Sequence, residues 1–221
     1  MVFCHYSGRR TYWAFLLLLI PLFGFSDHLH GSEQRTQSSY SLLVLGDSLS
    51  AGYGLEQQQG WVSLLQNLWY NEGIQIDVIN AAISGETSDG ALARLPRLLE
   101  QHRPSHVLIE LGGNDGLQGH PVTKLKSNLI QIVNLAQAAG AEVFLQDMQI
   151  PTNYGRRYTQ MFADAYDEVA RVQNVPLLPF FLESVALNPE LMQNDGIHPN
   201  AQAQPQIAEF MRQQLTPLIV E

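Results

Sequence analysis

Beyond residue 40, short apolar runs alternate with longer amphipathic stretches, and this alternation constrains the fold more than any other feature of the chain. Strands that are apolar on both faces indicate a parallel sheet covered on both sides by helices. We therefore expect an α/β protein with three α/β/α layers, whose five parallel strands follow the flavodoxin-like order. The predicted strands are residues 41–45, 75–80, 106–111, 142–146 and 175–178. The predicted helices are residues 61–69, 89–102, 123–139, 158–172 and about 200–218.

Three of the predicted strands end in small and polar residues rather than in ordinary linkers. In a parallel sheet the carboxyl ends of the strands meet at one edge, and ligands bind beyond that edge. The sequence therefore predicts a single site built from these three strand ends. They are Gly46-Asp47-Ser48, the stretch from Asn80 to Ser84-Gly85, and Gly112-Gly113-Asn114-Asp115.

Ser48 lies in the stretch SLLVLGDSLSAGYG (residues 41–54), directly after the first predicted strand. A serine on such a turn can act as a nucleophile in acyl transfer when a histidine and a carboxylate are supplied elsewhere. A helix that begins here would direct backbone N–H groups and the positive end of its dipole at a developing oxyanion. The same serine is also consistent with a simple N-cap, a common role after any strand.

Asp195 and His198 stand near the other end of the chain, in the stretch DGIHPN (residues 195–200). A spacing of three allows both side chains to share one face of a turn. The carboxylate could then hold the imidazole Nδ1 while Nε2 faces a serine. Pro199 and Asn200 predict that a helix starts immediately afterwards. The alternative is a capping aspartate and a surface histidine, because the chain has seven histidines.

Gly85 and Asn114 are candidate donors for an oxyanion hole. The transition state of acyl transfer needs two or three fixed hydrogen-bond donors. The Gly85 backbone N–H and the Asn114 side-chain amide could provide them, together with the backbone N–H of Ser48. Taken alone, a glycine is more often a turn residue and an asparagine a turn or capping residue.

No cofactor and no metal is expected. The glycine-rich stretch 46–54 lacks the lysine of a phosphate-binding loop and the third glycine of a dinucleotide fingerprint. The chain has neither an H-E-x-x-H sequence nor a carboxylate cluster, and the absence of G-x-S-x-G disfavours an ordinary α/β-hydrolase. A net charge of −9 disfavours a broad interface with nucleic acid, so no nucleic-acid partner is expected.

Residues 1–26 are predicted to be a signal peptide. Two adjacent arginines precede an apolar run over residues 13–25, which fits a secretory signal and is short for a membrane span. We expect cleavage after Ser26, with an uncleaved N-terminal anchor as the alternative. Cleavage removes Cys4, the only cysteine, and leaves no thiol for a disulfide or a metal site. The predicted organisation is a signal peptide (1–26), a flexible segment (27–40) and one domain (41–221).

Four blocks of the chain resemble the SGNH, or GDSL, hydrolases in type and order. They are GDSLSAGYG (46–54), NAAISGETS (80–88), ELGGNDGL (110–117) and DGIHPN (195–200). The stretches ALARLP (91–96), NYGRRY (153–158) and PLLPFF (176–181) are similar to the periplasmic thioesterase I/protease I/lysophospholipase group of that family. The resemblance implies the SGNH-hydrolase version of the flavodoxin-like fold. It also implies that Ser48 is the nucleophile, His198 the base and Asp195 its orienting acid, with Gly85 and Asn114 as oxyanion donors.

The resemblance implies an exported enzyme, periplasmic or secreted, that hydrolyses fatty-acyl esters and thioesters through an acyl-enzyme. Expected substrates are acyl-CoA-type thioesters, aryl esters and lysophospholipids, and apolar loop residues beside Gly112 are expected to hold the acyl chain. We expect a monomer with no stable membrane span once the signal is cleaved. Two alternatives remain open: a carbohydrate O-acetylesterase, and a catalytically silent lipid- or peptide-binding module of the same fold.

Overall fold

A computed structural model describes residues 40–220 of the chain. The predicted signal peptide (1–26) lies outside the described residues, and so does the predicted flexible segment (27–40) except for its last residue. Tyr40 is not part of that segment, because it is the first residue of a strand and pairs with Ile76 of the next one. No helix among the described residues has both the length and the apolar character needed to cross a bilayer.

Five parallel strands form one sheet in the order β2-β1-β3-β4-β5, which is the predicted flavodoxin-like order. The predicted α/β class and the five-stranded parallel sheet are therefore confirmed. The strands are β1 (Tyr40–Gly46), β2 (Ile76–Asn80), β3 (His106–Glu110), β4 (Glu142–Gln146) and β5 (Leu177–Leu178).

The prediction for the fifth strand was too long, since β5 has two residues instead of the expected 175–178. The Val175 N–H donates to the carbonyl of Ala170 at the end of the preceding helix, so it is not available to the sheet. Pro176 has no N–H to donate, although its carbonyl accepts from Leu145 of β4. Regular pairing with β4 can begin only at Leu177.

Helices cover both faces of the sheet. Helices α2 and α7 pack together in one layer, and α3, α5 and α6 pack together in the other. The Trp69 indole N–H of α2 donates to the Thr216 hydroxyl of α7 at 2.9 Å, which satisfies a polar group inside that layer. The helices are α1 (Ser48–Ala51), α2 (Trp61–Asn71), α3 (Ser88–His102), α4 (Gly113–Leu117), α5 (Val122–Ala138), α6 (Arg156–Gln173) and α7 (Gln204–Val220).

Two helix predictions need correction, although a helical turn does begin at Ser48 as expected. The short helix α4 was not predicted, because one turn of helix is too short to leave a periodic pattern. The last helix begins at Gln204 and not at Asn200, because the Asn200 side chain accepts from the N–H groups of Gln202 and Ala203 and stabilises a turn there.

The core lies on both sides of β1 and β3, whose central residues are completely buried. Fully burying a large apolar side chain stabilises the fold by roughly 1.5–3 kcal/mol, so this core is the main source of stability. It extends to the loop after β3, where the buried hydroxyl of Tyr166 donates to the carbonyl of Leu111 at 2.8 Å. Gly112 follows with φ +113°, and a Cβ there would overlap the Tyr166 hydroxyl. This contact sets the path of the chain into α4, at the carboxyl edge of the sheet.

Candidate active site

Ser48 is the first residue of α1, at the point where β1 leaves the sheet. It is not the N-cap of that helix, because Asp47 holds this position and its Oδ1 accepts from the Leu49 N–H at 3.1 Å. Gly46 makes the sharp exit from β1 possible, since a Cβ there would lie 2.7 Å from Glu110 Oε2. The Ser48 hydroxyl is thereby left free of capping, and Ser48 lines the apolar cavity described below.

The structure brings Asp195, His198 and Ser48 together, although Ser48 and His198 are 150 residues apart in the sequence. Asp195 Oδ2 lies 2.7 Å from His198 Nδ1, and His198 Nε2 lies 2.9 Å from Ser48 Oγ. Asp195 Oδ1 accepts two further bonds, from the N–H groups of Ile197 and His198. The hydrogen bonds from His198, backbone first and then side chain, lower the pKa of Asp195 to about 2. Asp195 is therefore ionised at every pH at which the protein would be assayed.

The loop that carries His198 is held by its own backbone and not by a helix start as predicted. The Gln193 N–H donates to the His198 carbonyl at 2.8 Å, and the Asn200 N–H donates to the Leu191 carbonyl at 2.8 Å. Met192 and Pro199 form an antiparallel bridge between these two bonds. This hairpin-like closure fixes the imidazole over α1.

The Asn114 side chain lies beside Ser48 at the start of α4. Its Nδ2 donates to two acceptors, Asp47 Oδ2 at 3.2 Å and the Glu86 carbonyl at 3.0 Å. The amide is thus held in one orientation by the loops after β1 and β2. It can also donate to a third acceptor if one of these bonds opens, and the bond to Asp47 is the longer.

Gly85 lies on the loop after β2 with φ +81°, a conformation that disfavours any other residue. Among residues 40–220, no acceptor lies within hydrogen-bond distance of its N–H. The next residue anchors the loop, because the Glu86 carboxylate makes a bidentate ion pair with Arg94 of α3. Gly85 therefore lies on an anchored loop, and its N–H is available to donate a hydrogen bond.

Asp47 and Glu110 form a buried acidic pair beneath Ser48 that sequence patterns did not reveal. Glu110 Oε2 accepts from the Ser50 hydroxyl at 2.6 Å and from the Asp47 N–H at 3.2 Å. Burial raises the pKa of Glu110 well above its ordinary value, and the Asp47 charge raises it further. Burial also raises the pKa of Asp47, to about 6. Each carboxyl group of the pair therefore keeps its proton to a higher pH than a free carboxyl group does.

One feature of the sequence points to Glu110: it is a charged residue at the end of the strand HVLIE, whose central residues are apolar. In the structure Glu110 is completely buried, which is rare for a glutamate that has no cationic partner. No ion pair with Glu110 occurs among the described residues. A charged residue at the end of a buried strand therefore marks this position as unusual.

An apolar cavity of about 290 Å³ opens at Ser48 and is lined by Asn114 and His198 at its polar end. Leu117, the last residue of α4, supplies one apolar wall of the cavity. Eight further lining residues come from the loop after β4 and the segment after β5. These residues are Met148, Gln149, Ile150, Pro151, Phe180, Leu182, Ala186 and Met192.

The described residues hold no cluster of three or more His, Cys, Asp or Glu side chains suited to a metal ion. His106 is buried and stacks on Phe144, and its Nδ1 contacts the Ser105 hydroxyl, so it is a core residue. The polar groups at the site are a serine, a histidine, a carboxylate and a set of N–H donors.

Comparison with known proteins shows the family to which the chain belongs. Residues 44–204 match the model of the GDSL-like lipase/acylhydrolase family. The chain is 51% identical over 180 residues to an arylesterase of Vibrio mimicus, covering 81% of this chain and 90% of that protein. It is 50% identical over 185 residues to thioesterase 1/protease 1/lysophospholipase L1 of Escherichia coli K12, covering 84% and 88%. A solved structure of the esterase EstA from Pseudoalteromonas, inhibited by monoethylphosphonate, is 49% identical with a TM-score of 0.80, covering 81% and 98%.

Proposed function

The chain belongs to the GDSL-like lipase/acylhydrolase family and is an esterase and thioesterase of the serine hydrolase class, and we propose that Ser48 is its nucleophile. His198 is the general base, and Asp195 is the carboxylate that orients His198. The observation that carries this proposal is the continuous hydrogen-bonded path from Asp195 Oδ2 through the imidazole to Ser48 Oγ, with contacts of 2.7 and 2.9 Å.

The geometry supports a two-step reaction. The Ser48 hydroxyl donates to His198 Nε2, which takes the proton as Oγ attacks the substrate carbonyl. The imidazolium is stabilised by Asp195 and then gives its proton from Nε2 to the leaving oxygen or sulfur, whose bond to the acyl carbon breaks. Water, deprotonated by the same nitrogen, attacks the resulting acyl-serine, and the proton returns to Ser48 Oγ as the carboxylic acid departs.

The oxyanion formed in each step is assigned to the N–H groups of Ser48 and Gly85 and to the Asn114 amide. The first two donors are backbone groups, one at the start of α1 and one on the loop that Glu86 anchors. Asn114 serves the oxyanion when its longer bond, to Asp47, opens or becomes shared. The two backbone donors are already fixed and need no reorganisation during the reaction, which is the source of their catalytic effect.

The cavity supports fatty-acyl groups as substrates in preference to acetyl groups. Its lining is mostly apolar, and at about 290 Å³ it is far larger than a single methyl group requires. We propose that the acyl chain lies there, against Leu117, Ile150 and Phe180. The names of the relatives support aryl esters, thioesters and lysophospholipids as leaving-group classes. A carbohydrate O-acetylesterase would leave most of this cavity unfilled.

We further propose that the protein is exported, to the periplasm or the medium, and acts there as a monomer. The support for export is the basic and apolar pattern of residues 1–26. Mass spectrometry of the protein isolated from its natural host would test it, because export predicts a mature chain that begins after Ser26.

The experiment that tests the active site is covalent labelling with a fluorophosphonate. One adduct per chain is expected, on Ser48, and Ser48→Ala should lose both the adduct and the hydrolysis of a hexanoyl thioester. Ser84→Ala is the matched control, since Ser84 is exposed on the neighbouring Gly85 loop and should keep both properties. An adduct on another serine would contradict the assignment. A series of esters from acetyl to palmitoyl would measure which acyl groups the cavity accepts.

A further inference from the structure

Tyr53 is an exposed aromatic residue in direct contact with the proposed general base. Its ring centroid lies 4.5 Å from that of His198 with an interplanar angle of 37°, and 51% of the residue is exposed. Tyr53 does not line the apolar cavity, whereas His198 does. The imidazole therefore has the acyl cavity on one side and an open aromatic surface on another.

The backbone of Tyr53 is fixed on both sides of the residue. The Tyr53 N–H donates to the carbonyl of Ser48, the first residue of α1, at 3.1 Å. Gln193 Nε2 donates to the carbonyls of Tyr53 at 2.7 Å and of Pro199 at 3.1 Å, and so joins this turn to the His198 loop. Gly54 leaves room for the clamp, because a Cβ there would lie 2.5 Å from Gln193 Oε1. The fixed backbone and the contact with His198 leave an exposed ring with little freedom to lose when a ligand binds.

The chemistry of the proposed function determines where the leaving group lies. When Ser48 attacks, the acyl chain occupies the cavity and the oxyanion faces Asn114 and Gly85. The remaining substituent is the leaving group, and it must lie within hydrogen-bond distance of His198 Nε2 to receive its proton. The atoms that follow are thus adjacent to the imidazole and outside the cavity, where Tyr53 lies.

We propose that the Tyr53 ring is the leaving-group subsite of this enzyme and that it selects aromatic leaving groups. This inference rests on the proposed function of Ser48 and His198. Aromatic rings favour tilted or offset contacts with centroids 4.5–7 Å apart, and such contacts favour binding beyond the area they bury. An aryl or arylmethyl leaving group can make this contact with Tyr53, whereas a saturated ring of the same size cannot. Tyr53 is a specificity residue that acts in the acylation step.

The test compares two esters that differ only in aromaticity, benzyl hexanoate and cyclohexylmethyl hexanoate. Their alcohols are similar in size and acidity, and both esters form the same hexanoyl-enzyme. Any preference must therefore appear in kcat/KM, which reports acylation, while kcat becomes common to both if deacylation limits the rate. The wild type is expected to favour the benzyl ester by about three- to tenfold.

Variants of Tyr53 test whether the preference for the benzyl ester depends on its aromatic ring. Tyr53→Leu should bring the benzyl to cyclohexylmethyl ratio of kcat/KM to within about twofold of unity, and Tyr53→Phe should preserve the wild-type ratio. Tyr70→Leu is the matched control, because Tyr70 is 80% exposed on α2 and makes no aromatic contact among the described residues. Its ratio should equal that of the wild type.

Three outcomes would overturn the inference. A wild type without a benzyl preference, or a Tyr53→Leu variant that keeps it, would show that the ring does not contact the leaving group. A Tyr53→Leu variant that loses activity equally on both esters would show that Tyr53 only supports His198. Failure of the proposed function looks different: the wild type would hydrolyse neither ester, or Ser48→Ala would still hydrolyse both.

Discussion

Asp47 precedes Ser48 in the chain, and Asp195 is linked to Ser48 through His198. Asp47 is buried, whereas Asp195 is exposed. Asp195 is exposed, accepts hydrogen bonds from His198 and Ile197, and has its pKa lowered to about 2. Asp47 is 2% exposed, packs against Glu110, and has its pKa raised to about 6 by burial. The two aspartates thus serve different purposes. Asp195, at the surface, holds His198, and Asp47, in the interior, orders the serine turn and the Asn114 amide.

The buried pair can carry only one charge. Two carboxylates in contact without a cation cannot both be ionised, so the proton remains on one of them. Glu110 is the more deeply buried member, and its Oε1 has no hydrogen-bond partner. We therefore expect the interior pair to affect mainly stability and the exposed pair to affect mainly catalysis. The following predictions test that division, beginning with the largest expected effect.

Asp195→Asn is expected to lower kcat by about 10⁴, because an asparagine does not hold the histidine tautomer that leaves Nε2 free to accept a proton. The free energy of unfolding should change by less than about 1 kcal/mol, since 36% of the Asp195 side chain is exposed. Steady-state kinetics and urea unfolding of one preparation measure both. A loss of kcat below tenfold would remove Asp195 from the proposed triad.

Asn114→Ala is expected to lower kcat by about 10²–10³ with a smaller change in KM, as for the loss of one oxyanion donor. Asp47→Asn should lower kcat by about tenfold in the wild type, because the amide loses its carboxylate acceptor. In the Asn114→Ala background the same change should have almost no effect, and a double-mutant cycle measures this coupling. Additive losses would show that Asp47 does not act through Asn114.

Glu110→Ala is expected to lower the free energy of unfolding by about 3 kcal/mol, since it leaves a cavity and unsatisfied groups on Ser50 and Asp47. Glu110→Gln should cost less than about 1 kcal/mol, because an amide replaces a neutral acid of the same shape. Urea unfolding at pH 7 distinguishes the two variants. A glutamine variant as unstable as the alanine variant would mean that Glu110 is needed as an anion.

The stability of the protein should depend on pH through Asp47. Its pKa is raised from 3.8 to about 6, so the folded protein binds this proton more tightly than the unfolded chain does. The resulting stabilisation is complete below about pH 4 and is lost as the pH rises through 6, by on the order of 2 kcal/mol.

Burial raises the pKa of Asp147 to about 6 as well, so the wild-type decline over this pH range contains contributions from both groups. Asp47→Asn should remove only its own share and flatten the curve of unfolding free energy against pH, measured by urea unfolding at intervals from pH 4 to pH 8. An unchanged slope would contradict the raised pKa of Asp47.

Much of the fold could be predicted because it follows from local patterns. The five strands and their order were predicted from alternating apolar and amphipathic stretches, and β4 has the predicted bounds, 142–146. The errors occur where tertiary contacts override the pattern. The fifth strand is shortened by the bond from Val175 to α6, and α4 is a single turn that leaves no periodic pattern in the sequence.

The contacts of the candidate site also divide into local ones, which the sequence predicts, and long-range ones, which it does not. The contact between Asp195 and His198 was predictable because both residues belong to one short turn, and the structure places their side chains 2.7 Å apart. Tyr53 could not be singled out, because its contact with His198 depends on how two distant loops meet. Glu110 could not be linked to the site either, because its hydrogen bonds with Ser50 and Asp47 join the ends of two different strands.

The sequence by itself determined the type and order of the secondary elements, the family resemblance and the short-range pair of Asp195 and His198. The physical reason is that each secondary element, each block of the resemblance and the Asp195–His198 turn depends on residues within a few positions of one another. Only the tertiary structure decided which aspartate is exposed and which is buried. Burial and charge proximity arise from the packing of β1 against β3, and they set the pKa of Asp47 about four units above that of Asp195.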